Sequence, residues 1–236
     1  MEKSKLINFI NRYYLGGNTD TAKLVVENNT LSTKFISSDQ NVIGDVTLKS
    51  FDSPDAELGV YTTSQLIKLM SALDENIDLS YGETGGKVFS LNMSDKDTKV
   101  TYMLADLAVI RQAPNLKQLP PFEVKIQLNK DFAGNFKKAA NALDSDNFGV
   151  TSSEGETKII INYSNVNTNR IVFNTAATES ADMEVVCFSA KLLKEILNAN
   201  SGLDGMLEVS SKGLARVTFE NENYSAAYYL VKLTVS

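Results

Sequence analysis

Two pairs of helix-like segments recur at one fixed spacing, and that repeat confines the chain to a duplicated architecture. Leu6, Phe9, Ile10, Tyr13 and Tyr14 follow the i, i+3, i+4, i+7, i+8 rule of an amphipathic helix. Leu66, Leu69, Met70 and Leu73 form a second stripe, behind a capping box that runs from Thr62 to Gln65. A third stripe holds Phe132, Phe136, Ala139, Ala140 and Leu143; a fourth holds Leu192, Leu193, Ile196 and Leu197, with Ser189 placed to cap its start. Leu6 and Phe132 lie 126 residues apart, as do Leu66 and Leu192, and the same offset sets Lys68 on Lys194 and Met70 on Ile196. One offset for both pairs predicts a tandem duplication of a helix, strands, helix, strands module.

Between the helices the chain carries strand signals. Segments 23–26, 77–81, 158–163 and 226–231 are short, β-branched or aromatic, and bounded by turn residues. Asn28-Asn29, Gly82 to Gly86 and Ser152 to Glu156 read as the turns of antiparallel hairpins. The glycine-rich turn has no Lys-Ser/Thr ending and no helix behind it, so it is not a phosphate cradle. Three of the four prolines, Pro114, Pro120 and Pro121, fall in a polar stretch that can continue neither a helix nor a central strand. The expected organisation is therefore an α+β chain with a domain at 1–110, a connector at 111–122 and a second domain at 123–236. A length of 236 residues, above the usual roughly 100–200 per domain, agrees with two.

Composition removes several chemistries. With no histidine the chain has no Ser-His-Asp relay, no histidine base and no mixed Cys/His zinc site. The single cysteine, Cys187, lies in an apolar run and reads as a buried structural thiol in a reducing compartment. No stretch approaches the roughly 18 apolar residues of a membrane span, so a cytoplasmic protein without a membrane partner is expected. Asp52/Asp55 and Asp144/Asp146 are close acidic pairs in expected loops, and neither has the neighbours of a metal-dependent hydrolase. No cofactor, metal or catalytic residue is expected.

The net charge of −6 argues at first against a polyanionic partner. Its distribution argues the reverse. Residues 3–15, 63–74, 130–143 and 190–200 carry nine Lys/Arg against three acids, which leaves the remainder at −12. Opposite the apolar stripes stand Lys5, Asn8 and Arg12; Gln65, Lys68 and Ser71; Lys137, Lys138 and Asn141; and Lys191, Lys194 and Asn198. Lysine on one solvent face is ordinary. Four helices of one sign in a duplicated unit suit loose contact with phosphates, without the interleaved aromatics or bidentate arginines that would read bases.

Five segments follow one another along the chain: SDQNVIGDVTLKS at 38–50, LGV at 58–60, TSQLIKLM at 63–70, FSAKLL at 188–193 and YYL at 228–230. In their order and spacing the sequence resembles the DNA sliding clamps, in the branch of the eukaryotic and archaeal clamps of the proliferating-cell-nuclear-antigen type and the clamp of T4-like bacteriophages. The resemblance implies a clamp fold of two pseudo-repeated domains assembling as a homotrimer into a closed ring. The protein would encircle duplex DNA without sequence specificity and tether a DNA polymerase, after loading by a clamp loader. Lys5, Arg12, Lys68, Lys137, Lys138, Lys191 and Lys194 would meet the phosphate backbone, with Lys3 and Lys130 as weaker candidates. A partner pocket would be lined by Ile36, Gln40, Ile43, Leu116, Leu119, Pro120, Tyr229 and Val231. Subunits would join edge to edge through the strand of Val100, Tyr102 and Leu104 and the strand of Ile159 and Ile161. The alternative is a β-rich structural or interaction protein, such as a virion component or a monomeric processivity factor.

Overall fold

The computed structural model describes residues 1–235. Two compact units divide the chain, the first made of Met1–Ser38, Gly44–Pro114 and Glu222–Ala226, the second of Asp39–Ile43, Asn115–Asn221 and the stretch from Ala227 onward.

The first unit contains α1 (Lys3–Tyr14), β1 (Ala22–Glu27), β2 (Thr30–Ile36), most of β3 (Val42–Leu48), β4 (Ala56–Val60), α2 (Thr63–Met70), β5 (Asp78–Thr84), β6 (Lys87–Ser94) and β7 (Lys99–Met103). Its strands run in the orders β3-β2-β1-β4 and β5-β6-β7. The second contains β8 (Val124–Leu128), α3 (Lys130–Leu143), β9 (Asn147–Ser153), β10 (Glu156–Ile161), β11 (Ile171–Thr175), β12 (Ala177–Ser180), β13 (Met183–Ser189), α4 (Ala190–Ala199), β14 (Gly205–Ser210), β15 (Leu214–Glu220) and most of β16 (Tyr224–Val231). Here the orders are β11-β10-β9-β13 and β12-β8-β14-β15-β16. The duplication is written into the elements: β2 and β10 begin 126 residues apart, and α1/α3, α2/α4, β5/β14 and β6/β15 keep that offset within one residue.

Local chemistry accounts for the hairpins. Asn28-Asn29, Gly85-Gly86 and Glu154-Gly155 all have positive φ and form two-residue loops closing β1/β2, β5/β6 and β9/β10. Two successive left-handed residues match the twist of the flanking strands, which is why Asn and Gly dominate there. Gly44 answers a different need, because a Cβ on it would collide with the Phe35 ring on the neighbouring strand.

Each unit packs its two helices together over a sheet. Phe9, Ile10 and Tyr13 of α1 are fully buried, and the Tyr13 hydroxyl meets Thr63 Oγ1 of α2 at 3.3 Å. In the second unit Phe136 stacks on Phe132 at 6.0 Å and meets Phe148 of β9 edge-on at 5.1 Å. Truncating Phe136 to alanine would cost about 3–5 kcal/mol. Three of the helix starts differ in how they are capped. Asn129 and Ser189 accept from the N–H groups of Phe132 and Leu192, each worth about 1 kcal/mol. The expected Thr62/Gln65 box does not form: Thr62 makes no side-chain cap, and Asp20 reaches α2 from the loop before β1, accepting from Ser64 N at 2.9 Å.

Candidate nucleic-acid interface

The second unit brings its candidate cations together. The apolar stripes of α3 and α4 face the core, so their polar faces are left outward, side by side. Across the seam Lys137 Nζ donates to Asn198 Oδ1 at 3.4 Å, and Lys194 Nζ donates to Asn141 Oδ1 at 3.1 Å. Lys138 is exposed on the same helix as Lys137. Lys191 instead lies 2.5 Å from Asp146, whose carboxylate holds the ammonium pKa above its usual value by hydrogen bonding and by charge.

The first unit differs. Lys68 of α2 is exposed, and Lys5 of α1 is paired with Glu2 at 3.4 Å. Lys3 donates to the carbonyl of Leu73, in the turn that follows α2. Arg12 departs from expectation. It is only 6% exposed, its guanidinium lies 4.1 Å from the centroid of the Tyr224 ring, and its Nη1 donates to the Asn8 carbonyl at 2.7 Å. Tyr224 in turn donates to the carbonyl of Lys5 at 3.0 Å. Arg12 is a structural cation–π partner inside its unit, an interaction worth about 1 kcal/mol, and it does not stand out as a phosphate ligand.

The residues expected to line a partner pocket are dispersed over several elements. Ile36 ends β2 and Ile43 lies in β3, both half-buried, and Gln40 is exposed in a left-handed turn where Asp39 accepts from Asn41 N. In the connector Leu116 is exposed, whereas Leu119 and Pro120 are half-buried. The connector's end is anchored in the second unit: the Arg216 guanidinium covers the Phe122 ring at 5.0 Å and lies 2.5 Å from Glu208. Glu208, and to a lesser degree Tyr229, push the Arg216 pKa up. Val231 is exposed, and its N–H donates to the Asn41 carbonyl at 3.2 Å.

The strand edges need one correction. β7 is paired on one side only, as expected for the strand of Val100, Tyr102 and Leu104. Val100 and Tyr102 point inward, and Thr101 and Met103 point outward, Met103 being 63% exposed. Beside this edge lies a cleft of about 340 Å³ lined by Tyr61, Gln65, Leu69, Met103 and Leu104 among others. Ile159 and Ile161, by contrast, belong to β10, which is hydrogen-bonded to β9 on one side and β11 on the other. Both side chains are fully buried. A strand paired on both sides has no free N–H or C=O row to offer, so the edge on this side of the sheet is β11, with Val172 49% exposed, and β13 ends the sheet on the other side.

No family model matches the sequence and no curated protein matches it. Solved structures do. The chain matches A. fulgidus PCNA, in a structure described as the C-terminal region of FEN-1 bound to that protein, with a TM-score of 0.78 and 19% identity over 100% of this chain and 98% of the other. It also matches the Proliferating Cellular Nuclear Antigen of Entamoeba histolytica, with a TM-score of 0.76 and 15% identity over 99% and 96%. The chain has the PCNA-type sliding-clamp fold.

Within the clamp fold, three features escape the sequence. Asn141 and Asn198 are legible there only as polar companions of the lysines, because their pairing needs α3 beside α4. The β11 edge is hidden because β10, with three consecutive isoleucines, is the more apolar strand, and apolarity marks an interior strand rather than an edge. The Arg216, Glu208 and Phe122 cluster has no local signature at all. Cys187 is buried as expected, and desolvation pushes its thiol pKa up to about 11. Among the described residues no helix is long and apolar enough to cross a membrane, and no group of three or more His, Cys, Asp or Glu is placed to hold a metal ion.

Proposed function

We propose that this chain is the subunit of a homotrimeric sliding clamp, a non-catalytic ring that encircles duplex DNA and tethers a DNA polymerase after opening by a clamp loader. The observation that carries the reading is the likeness in fold over the whole length of two PCNA chains, at TM-scores of 0.78 and 0.76. One of those chains holds the C-terminal region of FEN-1, which favours a partner-binding role here as well. The clamp domains would be 1–110 and 123–236, joined by 111–122. In the ring, β7 of one copy pairs with β11 of the next, a heterologous interface that repeats until it closes. The cleft beside β7 then receives a side chain from the neighbour. Phosphate binding falls to Lys68, Lys137, Lys138 and Lys194, with Lys5 and Lys191 exchanging their carboxylate partners for DNA. Partner peptides dock against Ile36, Gln40, Ile43, Leu116, Leu119, Pro120, Tyr229 and Val231.

Sedimentation equilibrium at several concentrations tests the assembly. A mass of three copies is expected at high concentration, with dissociation on dilution governed by mass action. A monomer at every concentration would overturn the ring and favour the monomeric alternative.

A further inference from the structure

We propose, on the clamp reading above, that the seam between α3 and α4 is the protein's principal seat for a duplex phosphate, in which Asn141 and Asn198 are positioning residues that aim Lys137 and Lys194 without neutralising them. The two hydrogen bonds cross the seam in opposite directions, from Lys137 to Asn198 and from Lys194 to Asn141. An amide oxygen is a neutral acceptor. It restricts the rotamers of a long side chain yet leaves the positive charge and two further N–H donors for an incoming anion. A carboxylate in the same place would hold the ammonium as well and cancel its charge, which is the situation of Lys5 with Glu2 and of Lys191 with Asp146. The seam therefore presents two oriented, uncancelled cations.

The first unit does not repeat this arrangement. At the 126-residue offset Asn141 corresponds to Leu15, Asn198 to Ala72 and Lys137 to Asn11, and only Lys194 keeps its charge, as Lys68. Arg12, the helix cation that could have compensated, is stacked on Tyr224. The two units thus contribute unequally, and the second dominates the hold on DNA. Loose, charge-only binding with no base-reading group is also what movement along the duplex needs.

The test is fluorescence anisotropy of a short linear duplex with the full chain, at protein concentrations that maintain its oligomer, over a salt series. Lys137→Gln with Lys194→Gln should weaken binding by about tenfold or more and flatten the log-affinity against log-salt slope by about 0.9 for each phosphate that is no longer neutralised. Asn141→Asp with Asn198→Asp should flatten the slope likewise although both lysines remain, because the new carboxylates neutralise them. Asn141→Ala with Asn198→Ala should weaken binding a few-fold and leave the slope in place. Lys5→Gln should give the smaller flattening. Both asparagines are exposed, and thermal unfolding verifies that each variant is folded. If the unaltered chain binds and the Lys137/Lys194 or the Asn→Asp variant keeps its affinity and slope, the seam is not the seat. An alanine pair without effect removes the positioning role. Failure of the unaltered chain to bind duplex at any salt would remove the clamp reading itself, and this proposal with it.

Discussion

At the residue scale, the partner of a charge decides what the charge can do. Arg12, Lys5, Lys191 and Lys137 all stand on the polar sides of amphipathic helices, yet one is stacked on an aromatic ring, two face carboxylates and one faces an amide. The helical spacing that groups Arg12 with Lys5 and Asn8 is correct. What covers Arg12 is Tyr224, from the far end of the chain, and no local pattern announces it. Carboxylates show the same dependence. Asp95 accepts the backbone N–H groups of Asp74, Asp97 and Thr98 at 2.7–2.9 Å, and these bonds hold its pKa below the ordinary aspartate value. A depressed carboxylate contributes stability that is present above its unfolded-state pKa and is lost as pH falls through its folded-state pKa. Asp95→Asn should therefore lower the thermal midpoint at neutral pH, and the gap from the unaltered protein should close as the solution is acidified. A gap that stayed constant down to acid pH would show that the charge contributes nothing.

At the scale of elements, a strand's neighbours matter more than its composition. β10 is rich in isoleucine because it is covered on both edges as well as on its inner face, whereas β11 alternates half-buried and exposed residues as an edge does. Substitutions should separate the two. Met103→Asp on β7 or Val172→Asp on β11 should weaken self-association at least about tenfold, near 1.4 kcal/mol, while leaving the unfolding midpoint of the isolated subunit almost unchanged. Ile159→Asp should instead unfold the second unit, since an unpaired carboxylate in a packed core costs about 3 kcal/mol or more. Sedimentation combined with circular dichroism distinguishes loss of assembly from loss of fold. Helices are the easiest elements to anticipate, because a stripe such as Phe132, Phe136, Ala139 and Ala140 is a property of residues close in the chain. The cap of α2 is not, because Asp20 reaches it from another segment.

For the whole molecule, the connector is the expected point of attachment for a polymerase. Leu119 and Pro120 are half-buried, and the connector's final residues are held where Arg216 covers Phe122 beside Tyr229. Leu119→Ala together with Tyr229→Ala should reduce polymerase affinity by about tenfold or more, the loss typical of a central apolar anchor, and leave the oligomer mass unchanged. Surface plasmon resonance with the cognate polymerase checks the first outcome and sedimentation the second. An unchanged affinity would place the partner surface elsewhere on the chain. The net charge of −6 shows the same lesson in reverse: averaged over the chain it argues against DNA, and resolved into basic helices and an acidic remainder it argues for it.

The sequence by itself determined the duplication, the four helices, the places of three hairpin turns and the sign of charge on the helices, while the structure narrows the turns at 82–86 and 152–156 to the two residues Gly85-Gly86 and Glu154-Gly155. The helices, turns and charges follow from residues close together in the chain, through a 3.6-residue period, Asn and Gly at turn positions and lysines on one helical face, and the duplication follows from one 126-residue offset between segments. Only the tertiary structure decided that Arg12 is sequestered, that β11 rather than β10 is the open edge, and that Asn141 and Asn198 hold Lys194 and Lys137. Those outcomes depend on which distant segment lies alongside, and burial, edge exposure and hydrogen bonding between elements exist only once the elements are packed.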